Sequence, residues 1–344
     1  MQRGIHTRKE IISQPEAWAN ALDQVEKCHS ELESVINQDY KQVIFTGCGS
    51  TYYLSLSAAA MFQETTGKMA RAVPGGELLL YPASVLASTK TLLVAISRSG
   101  STTETVRAVE QFKKHNSGPV IAITNYGDQP LAGLADLAIV IPKGQEESVA
   151  QTRSFASMYV AVTDMTALAS GHEDQRRSSM QKLPEIGEKL ITSYEPLARE
   201  LGENLGYDRF YFLGSGARYG LACETNLKMK EMALTHSEPF HFLEFRHGPM
   251  SMVTKTAVVV GMLSDTNRAH ERKVLDEMEE LGGKVISLAE SDASVAFYSG
   301  LAESIRSVLY LPVLQLMAYS RSMAKGLNPD RPNNLTAVVT LDLP

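Results

Sequence analysis

Thr91-Leu92-Leu93-Val94-Ala95-Ile96-Ser97-Arg98-Ser99-Gly100-Ser101-Thr102 joins an unbroken apolar run to a cluster of hydroxyls around one glycine. Six consecutive apolar or β-branched residues with a turn signal behind them fit a strand buried on both faces, the kind found in a parallel sheet. TETVRAVEQFKKH follows with helical spacing, so the hydroxyl cluster sits where a strand hands over to a helix N-terminus. Short donors, a flexible backbone and a helix start suit a phosphate. The same residues also make an ordinary helix cap, and no P-loop lysine follows them.

Working outward, Lys41–Thr46 (KQVIFT) predicts a strand that breaks at Gly47-Cys48-Gly49-Ser50, followed by a buried Ala/Ser/Leu helix. PVIAITN and LAIVIP supply two further apolar runs, and residues 8–38 carry helical spacing ahead of the first strand. Strands alternating with helices imply right-handed βαβ units and a parallel sheet. The pattern then recurs: Gly214 follows Gly47, and Ser264 follows Ser97, by 167 residues each. Phe210–Leu213 leads into Gly214-Ser215-Gly216, TAVVVGMLSD repeats TLLVAISRSG, and KVISLAE echoes PVIAITN. The expected fold is α/β: two tandem three-layer α/β/α domains, each with a central parallel sheet, behind an N-terminal helical segment. The expected boundaries are 1–34 for that segment, 35–180 for the first domain and 195–344 for the second, with a charged linker near 172–195. Only the first copy carries the Ser-Gly loop, which predicts a division of labour.

A chain of 344 residues fits two domains of about 150 each. A net charge of -6 argues against a general nucleic-acid surface. No run reaches the roughly 18 apolar residues of a membrane span, and MQRGIHTRKEIISQPEAW has no apolar core of the signal-peptide kind. Cys28, Cys48 and Cys223 are odd in number and widely spaced, which predicts reduced thiols in a cytoplasmic protein and no metal site. Gly47-Cys48-Gly49 lacks the acidic partner of a dinucleotide site, and no cofactor is expected. Cys48 reads as a packed thiol, and His236 and His241 show no metal-ligand spacing.

A second constellation lies far along the chain. Glu224, Lys228, Glu231 and Thr235 fall at i, i+4, i+7 and i+11, along one helix face, with Leu221, Ala222, Met229 and Met232 suited to burial elsewhere. Such a stripe is a solvated face, unless it borders a cleft, where a carboxylate and an ammonium three residues apart tune each other for proton transfer. His247 lies in Phe245-Arg246-His247-Gly248-Pro249, where Gly-Pro predicts a loop. An imidazole there is either an exposed surface group or a proton carrier.

GCGST, SRSGSTTET, ESVAQTRSF, LKMKE, FRHGP and GLNPDRPNNL, in this order, resemble the tandem sugar-isomerase (SIS) family. That family includes the isomerase half of glutamine–fructose-6-phosphate aminotransferase and single-chain amino-sugar-6-phosphate deaminases. The resemblance implies phosphate binding by Ser97, Ser99 and Thr102, with Ser50 and Thr51 near the sugar. It also puts Val149 and Gln151 on the substrate side, the latter in place of a serine, and Arg98 where the aminotransferase has glutamine. Glu231 matches the base that moves a proton between C1 and C2, Lys228 a lysine that assists it, and His247 a ring-opening histidine contributed across a dimer. The expected partner is a phosphorylated amino sugar, bound by a homodimer with a shared active site. Two departures point away from synthesis: the chain starts without a cysteine nucleophile or glutaminase domain, and no lysine stands between Arg331 and Pro344.

Overall fold

The computed structural model describes residues 3–115, 118–171 and 173–342, with backbone alone at 173–176. Its strands form two five-stranded sheets in which every pairing is parallel. The first contains β1 (Gln42–Gly47), β2 (Ala70–Pro74), β3 (Thr91–Ser97), β4 (Val120–Thr124) and β5 (Leu137–Val140), in the order β2-β1-β3-β4-β5. The second contains β6 (Arg209–Leu213), β7 (His236–Phe240), β8 (Ala257–Met262), β9 (Lys284–Ala289) and β10 (Val295–Ala296), in the order β10-β9-β8-β6-β7. Traversed from its other edge, the second sheet runs β7-β6-β8-β9-β10, the same topology strand for strand. The 167-residue repeat in sequence is therefore a repeat of fold.

Composition explains which strands the sequence shows plainly. β1, β3, β4 and β8 are buried along their whole length, as a sheet covered on both faces requires. β2 and β7 lie next to β1 and β6 at sheet edges, carry polar residues and end near Pro74 and Pro239. Proline is tolerated at an edge because one side of the strand needs no ladder donor, and that same proline hides the strand from a pattern reading. Each sheet is covered by amphipathic helices. Thr105, Ala108, Val109 and Phe112 of the Thr103–His115 helix are buried, the last three against Leu93 and Ala95. Val274, Leu275 and Met278 of the Arg268–Glu280 helix do the same against Tyr211 and Val259. Each large apolar side chain so placed stabilises the fold by about 1.5–3 kcal/mol.

The chain divides into two units that interleave in sequence. One comprises Met1–Ile12, Glu147–Thr152 and Glu185–Leu335; the other comprises Ser13–Glu146, Arg153–Pro184 and Thr336–Pro344. The N-terminal segment is helical at Ile5–Ile12, Gln14–Lys27 and His29–Ile36, and the division falls between the first two helices. Of the linker read at 172–195, residue 172 lies outside the described residues, and the rest runs in the helices Glu173–Met180 and Leu183–Glu203, joined by a turn at 181–182. Among the described residues, no helix is long and apolar enough to cross a membrane.

Candidate active site

A parallel sheet in the order 2-1-3-4-5 opens a crevice where the strand order reverses, outside the carboxyl ends of its first and third strands. In the first sheet that point lies between β1 and β3. The turn Gly47–Gly49 leaves β1 there and starts the Ser50–Thr66 helix, and Ser97–Thr102 leaves β3 and starts the Thr103–His115 helix. Both expected phosphate-side segments thus stand at one switch point, each ahead of a helix N-terminus.

The turns are built tightly. Thr51 Oγ1 accepts from the Cys48 amide at 2.9 Å and donates to the Cys48 carbonyl at 3.0 Å. A Cβ on Gly47 would stand 2.7 Å from the Thr51 carbonyl carbon, so this approach needs glycine. Ser97 Oγ accepts from the Gly100 amide at 3.2 Å, and Ser99 Oγ from the Ser101 amide at 3.2 Å. Ser99 Oγ also lies 3.4 Å from Thr102 Oγ1. Gly100 has φ +66°, and a Cβ there would meet Gln129 Cβ at 2.9 Å. Ser50, Thr51 and Ser97 are buried, while Ser99 and Thr102 are half-buried. The Ser97 and Ser99 hydroxyls thus hold the turn that precedes the helix.

Arg98 is buried, and its guanidinium is committed inward. One terminal nitrogen lies 3.6 Å from the fully buried Glu146 carboxylate, and the other donates to the Ala337 carbonyl at 2.6 Å. The segment ending the chain continues across the same helix start: the Thr103 amide donates to the Val339 carbonyl at 3.3 Å, and the Leu341 amide donates to Thr103 Oγ1 at 3.1 Å. A cleft of about 210 Å³ beside the loop is lined by Arg98, Ser99, Ser101, Tyr126 and Glu146, with Ala337 and Val338 of that segment. Glu146 is a residue the sequence reading missed, because its partner Arg98 lies far from it in sequence. Cys48 is packed beside Thr105, its Sγ 3.5 Å from the hydroxyl, and burial pushes its thiol above the ordinary range.

The acid–base set belongs to the other unit. The Arg218–Ala233 helix is buried nearly all round, and Glu224 and Lys228 have no exposed surface. A solvated stripe is excluded. Lys228 Nζ lies 3.2 Å from Glu224 Oε1 and 2.6 Å from Glu231 Oε2. Burial by itself favours the neutral amine, but the charges of Glu224 and Glu231 and their hydrogen bonds outweigh it and hold the Lys228 pKa above the usual lysine value. Glu231 keeps a fifth of its side chain exposed, so one end of the array is closed and the other open. Thr235 departs from the expected stripe: the helix stops at Ala233, Leu234 turns left-handed with φ +44°, and the Thr235 hydroxyl bonds the Ala233 carbonyl.

His247 follows the short Phe242–Phe245 helix, in the expected turn, and its side chain is exposed. Val149 and Gln151 are half-buried in residues 145–151, which form neither helix nor strand. His241 stacks on Tyr219 with ring centroids 3.8 Å apart, and burial lowers its pKa. Among the described residues, no group of three His, Cys, Asp or Glu side chains is arranged to hold a metal.

The matching switch point of the second sheet, between β6 and β8, is filled from within. Asn267 repeats the Gly100 bond, its amide donating to Ser264 Oγ at 2.9 Å. The Ser264 amide is taken by Glu271 Oε2 at 2.5 Å, and the Asp265 amide by Glu303 Oε2 at 2.7 Å. Arg218 pairs with both carboxylates, at 3.2 Å from Glu271 Oε1. Internal carboxylates therefore hold the amides of this turn, where the first copy uses its own hydroxyls. The 167-residue offset aligns Arg218 with Thr51 and Glu271 with Glu104, a signal present in the sequence.

The SIS domain family matches residues 38–169 and 207–304. Glutamine–fructose-6-phosphate aminotransferase (isomerizing) of Pyrococcus horikoshii is 29% identical over 97% of this chain, and this chain spans 57% of that relative's length. The crystal structure of glucosamine-6-phosphate deaminase from Thermotoga maritima superposes with a TM-score of 0.83 at 28% identity, covering 98% of this chain and all of that one. Tagatose-6-phosphate ketose/aldose isomerase from Escherichia coli shares the fold, with a TM-score of 0.86 at 23% identity over 96% of each chain. With two matched segments that together take in more than half of its length, one on each repeat of the fold, the chain belongs to the SIS domain family.

Proposed function

We propose that the chain is an amino-sugar-6-phosphate deaminase/isomerase, acting as a cytoplasmic homodimer whose active sites are shared between copies. The reaction is aldose–ketose isomerisation with loss of ammonia, such as glucosamine 6-phosphate to fructose 6-phosphate. The observation that carries this reading is the Glu224–Lys228–Glu231 array, closed at one end and open at Glu231. The buried ammonium holds the Glu231 carboxylate in place, and its exposed face is free to take a proton from carbon.

In this reading His247 opens the sugar ring and Glu231 removes the proton on C2 of the open-chain aldehyde. The enolamine that results is reprotonated on C1 by the same carboxyl, giving a ketose imine. Water adds to the imine carbon and ammonia leaves, so one water is consumed and one ammonia released. Lys228 holds Glu231 in place and steadies its charge. Ser97, Ser99 and Thr102 bind the phosphate, Ser50 and Thr51 stand near the sugar, and Val149 and Gln151 line the substrate side. Binding energy from the phosphate then serves to position the distal carbons. The absence of a lysine from Arg331 to Pro344 supports release of ammonia over its capture.

The test is ammonia release, with parallel detection of ketose 6-phosphate, across glucosamine, galactosamine and fructosamine 6-phosphates. Turnover of glucosamine 6-phosphate is expected. Turnover of the galactosamine or fructosamine compound alone reassigns the substrate to that epimer or to deglycation. Tight binding of a sugar phosphate without turnover of any replaces the enzyme with a regulator that senses it.

A further inference from the structure

The helix Ile5–Ile12 lies in the same unit as residues 147–152, more than 130 positions later in the chain. Glu10 on that helix is 2% exposed. A buried carboxylate is costly unless donors converge on it. Here the donors come from one short stretch: the Glu147 amide at 2.6 Å, the Ser148 amide at 3.3 Å and the Ser148 hydroxyl. Thr7, one turn earlier, gives its amide and its hydroxyl to Asp330 Oδ1, both at 2.8 Å, and the Asp330 carbonyl accepts the Val149 amide at 3.1 Å. The helix therefore grips the stretch on both sides of Ser148, directly through Glu10 and through Asp330.

Residues 146–151 lie in neither a strand nor a helix. A segment of that kind holds a ligand-facing geometry only when side chains from elsewhere fix it. We infer that the Ile5–Ile12 helix is a positioning element and that Glu10 is a positioning residue: by clamping Glu147 and Ser148 it sets the backbone from which Val149 and Gln151 meet the sugar phosphate. This rests on the reading of those two residues as substrate-side. Glu10 itself touches no substrate; it acts through the loop.

Glu10→Gln is the direct test, because the amide keeps the volume but removes the charge and turns a donor toward donors. Two measurements are made on the purified full chain. Hydrogen exchange at the Glu147, Ser148 and Val149 amides is expected to speed up by at least tenfold in the variant, since loss of a charge-assisted bond weakens local closure by about that factor. Unchanged exchange overturns the clamp whatever the ligand is. KM for the sugar phosphate that the chain turns over is expected to rise about tenfold with kcat within about threefold, and Glu10→Asp is expected to recover part of it. Faster exchange with an unchanged KM overturns the positioning role and leaves a structural bond. If Glu10→Gln does not fold, Ser148→Ala removes one donor and keeps the helix; an unchanged KM there overturns the inference equally. A wild-type chain that neither binds nor turns over a sugar phosphate sinks the substrate reading instead, and the exchange result is then read alone.

Discussion

At the scale of single residues, Lys228 governs what Glu231 is able to do. A lysine with no exposed surface, held above the usual lysine value by two carboxylates, is a fixed cation, which in the proposed reaction leaves the proton exchange to Glu231. Glu231→Gln is expected to lower kcat by about 10²–10⁴ while leaving the Kd of the sugar phosphate within about threefold, as loss of a general base does. Isothermal calorimetry beside steady-state kinetics checks it, and an unaltered kcat removes Glu231 as the base. The raised Lys228 pKa has a definite sign in stability. A group held above its unfolded value contributes fully below that value, about 10.4, and its contribution is lost as pH rises through the folded one. The Tm gap between the wild type and Lys228→Met should therefore stay constant from about pH 7 to about pH 9.5 and shrink only above about 10.4. A gap that closes near neutrality would show that Lys228 titrates with the reaction. Spacing in the sequence shows Lys228 and Glu231 as neighbours, but not that the stripe is buried; that depends on apolar residues covering the helix from elements far along the chain. Glu10, Glu146 and Asp330 had no local signal, because each one's meaning is a partner that only folding brings near.

At the scale of elements, the decisive feature is the switch point and what fills it. The β1–β3 point presents Ser97, Ser99 and Thr102 ahead of a helix N-terminus, while its β6–β8 counterpart presents Ser264 and Asp265 amides already taken by Glu271 and Glu303. Replacing both Ser97 and Ser99 by alanine is expected to raise KM by about 10²-fold, since each charge-assisted bond to phosphate is worth about 1.5–3 kcal/mol. A negligible change in the steady-state KM would take phosphate binding away from this loop. The second point carries stability instead. Arg218 and Glu271 are 7% and 3% exposed, and breaking a buried pair from one side costs about 3–5 kcal/mol. Urea unfolding of Glu271→Ala should show that loss as a lowered midpoint with an unchanged slope; a midpoint within error of wild type would mean that the network carries no load. The central strands and the helices behind them were legible because burial on both faces leaves an uninterrupted apolar signature. The edge strands β2 and β7 were not, since an edge tolerates the polar residues and prolines that elsewhere rule out a strand.

At the scale of the whole molecule, a duplicated fold has kept its topology in both halves while the side chains at the two switch points differ. The repeat was readable from one offset because glycine turns after buried strands are hard to replace: Gly47 and Gly214 each sit where a Cβ would strike the backbone of the following helix. What one sequence cannot display is a second copy of itself. The exposed turn that carries His247 is flanked by exposed Leu243 and Met252, 52% and 53% accessible, an apolar setting that suits contact with another surface. If His247 serves the site of a partner copy, the chain carries two halves of an active site that meet only across a two-fold axis. Glu231→Gln and His247→Ala are then each inactive alone, yet a mixture contains dimers in which one site has both residues intact. Co-refolding the two variants in equal amounts should restore about a quarter of wild-type activity, because half of the dimers are mixed and each mixed dimer holds one intact site of two. Activity near zero after mixing, with mixed dimers demonstrated by a mass tag, would place His247 in the same chain's site or outside the chemistry.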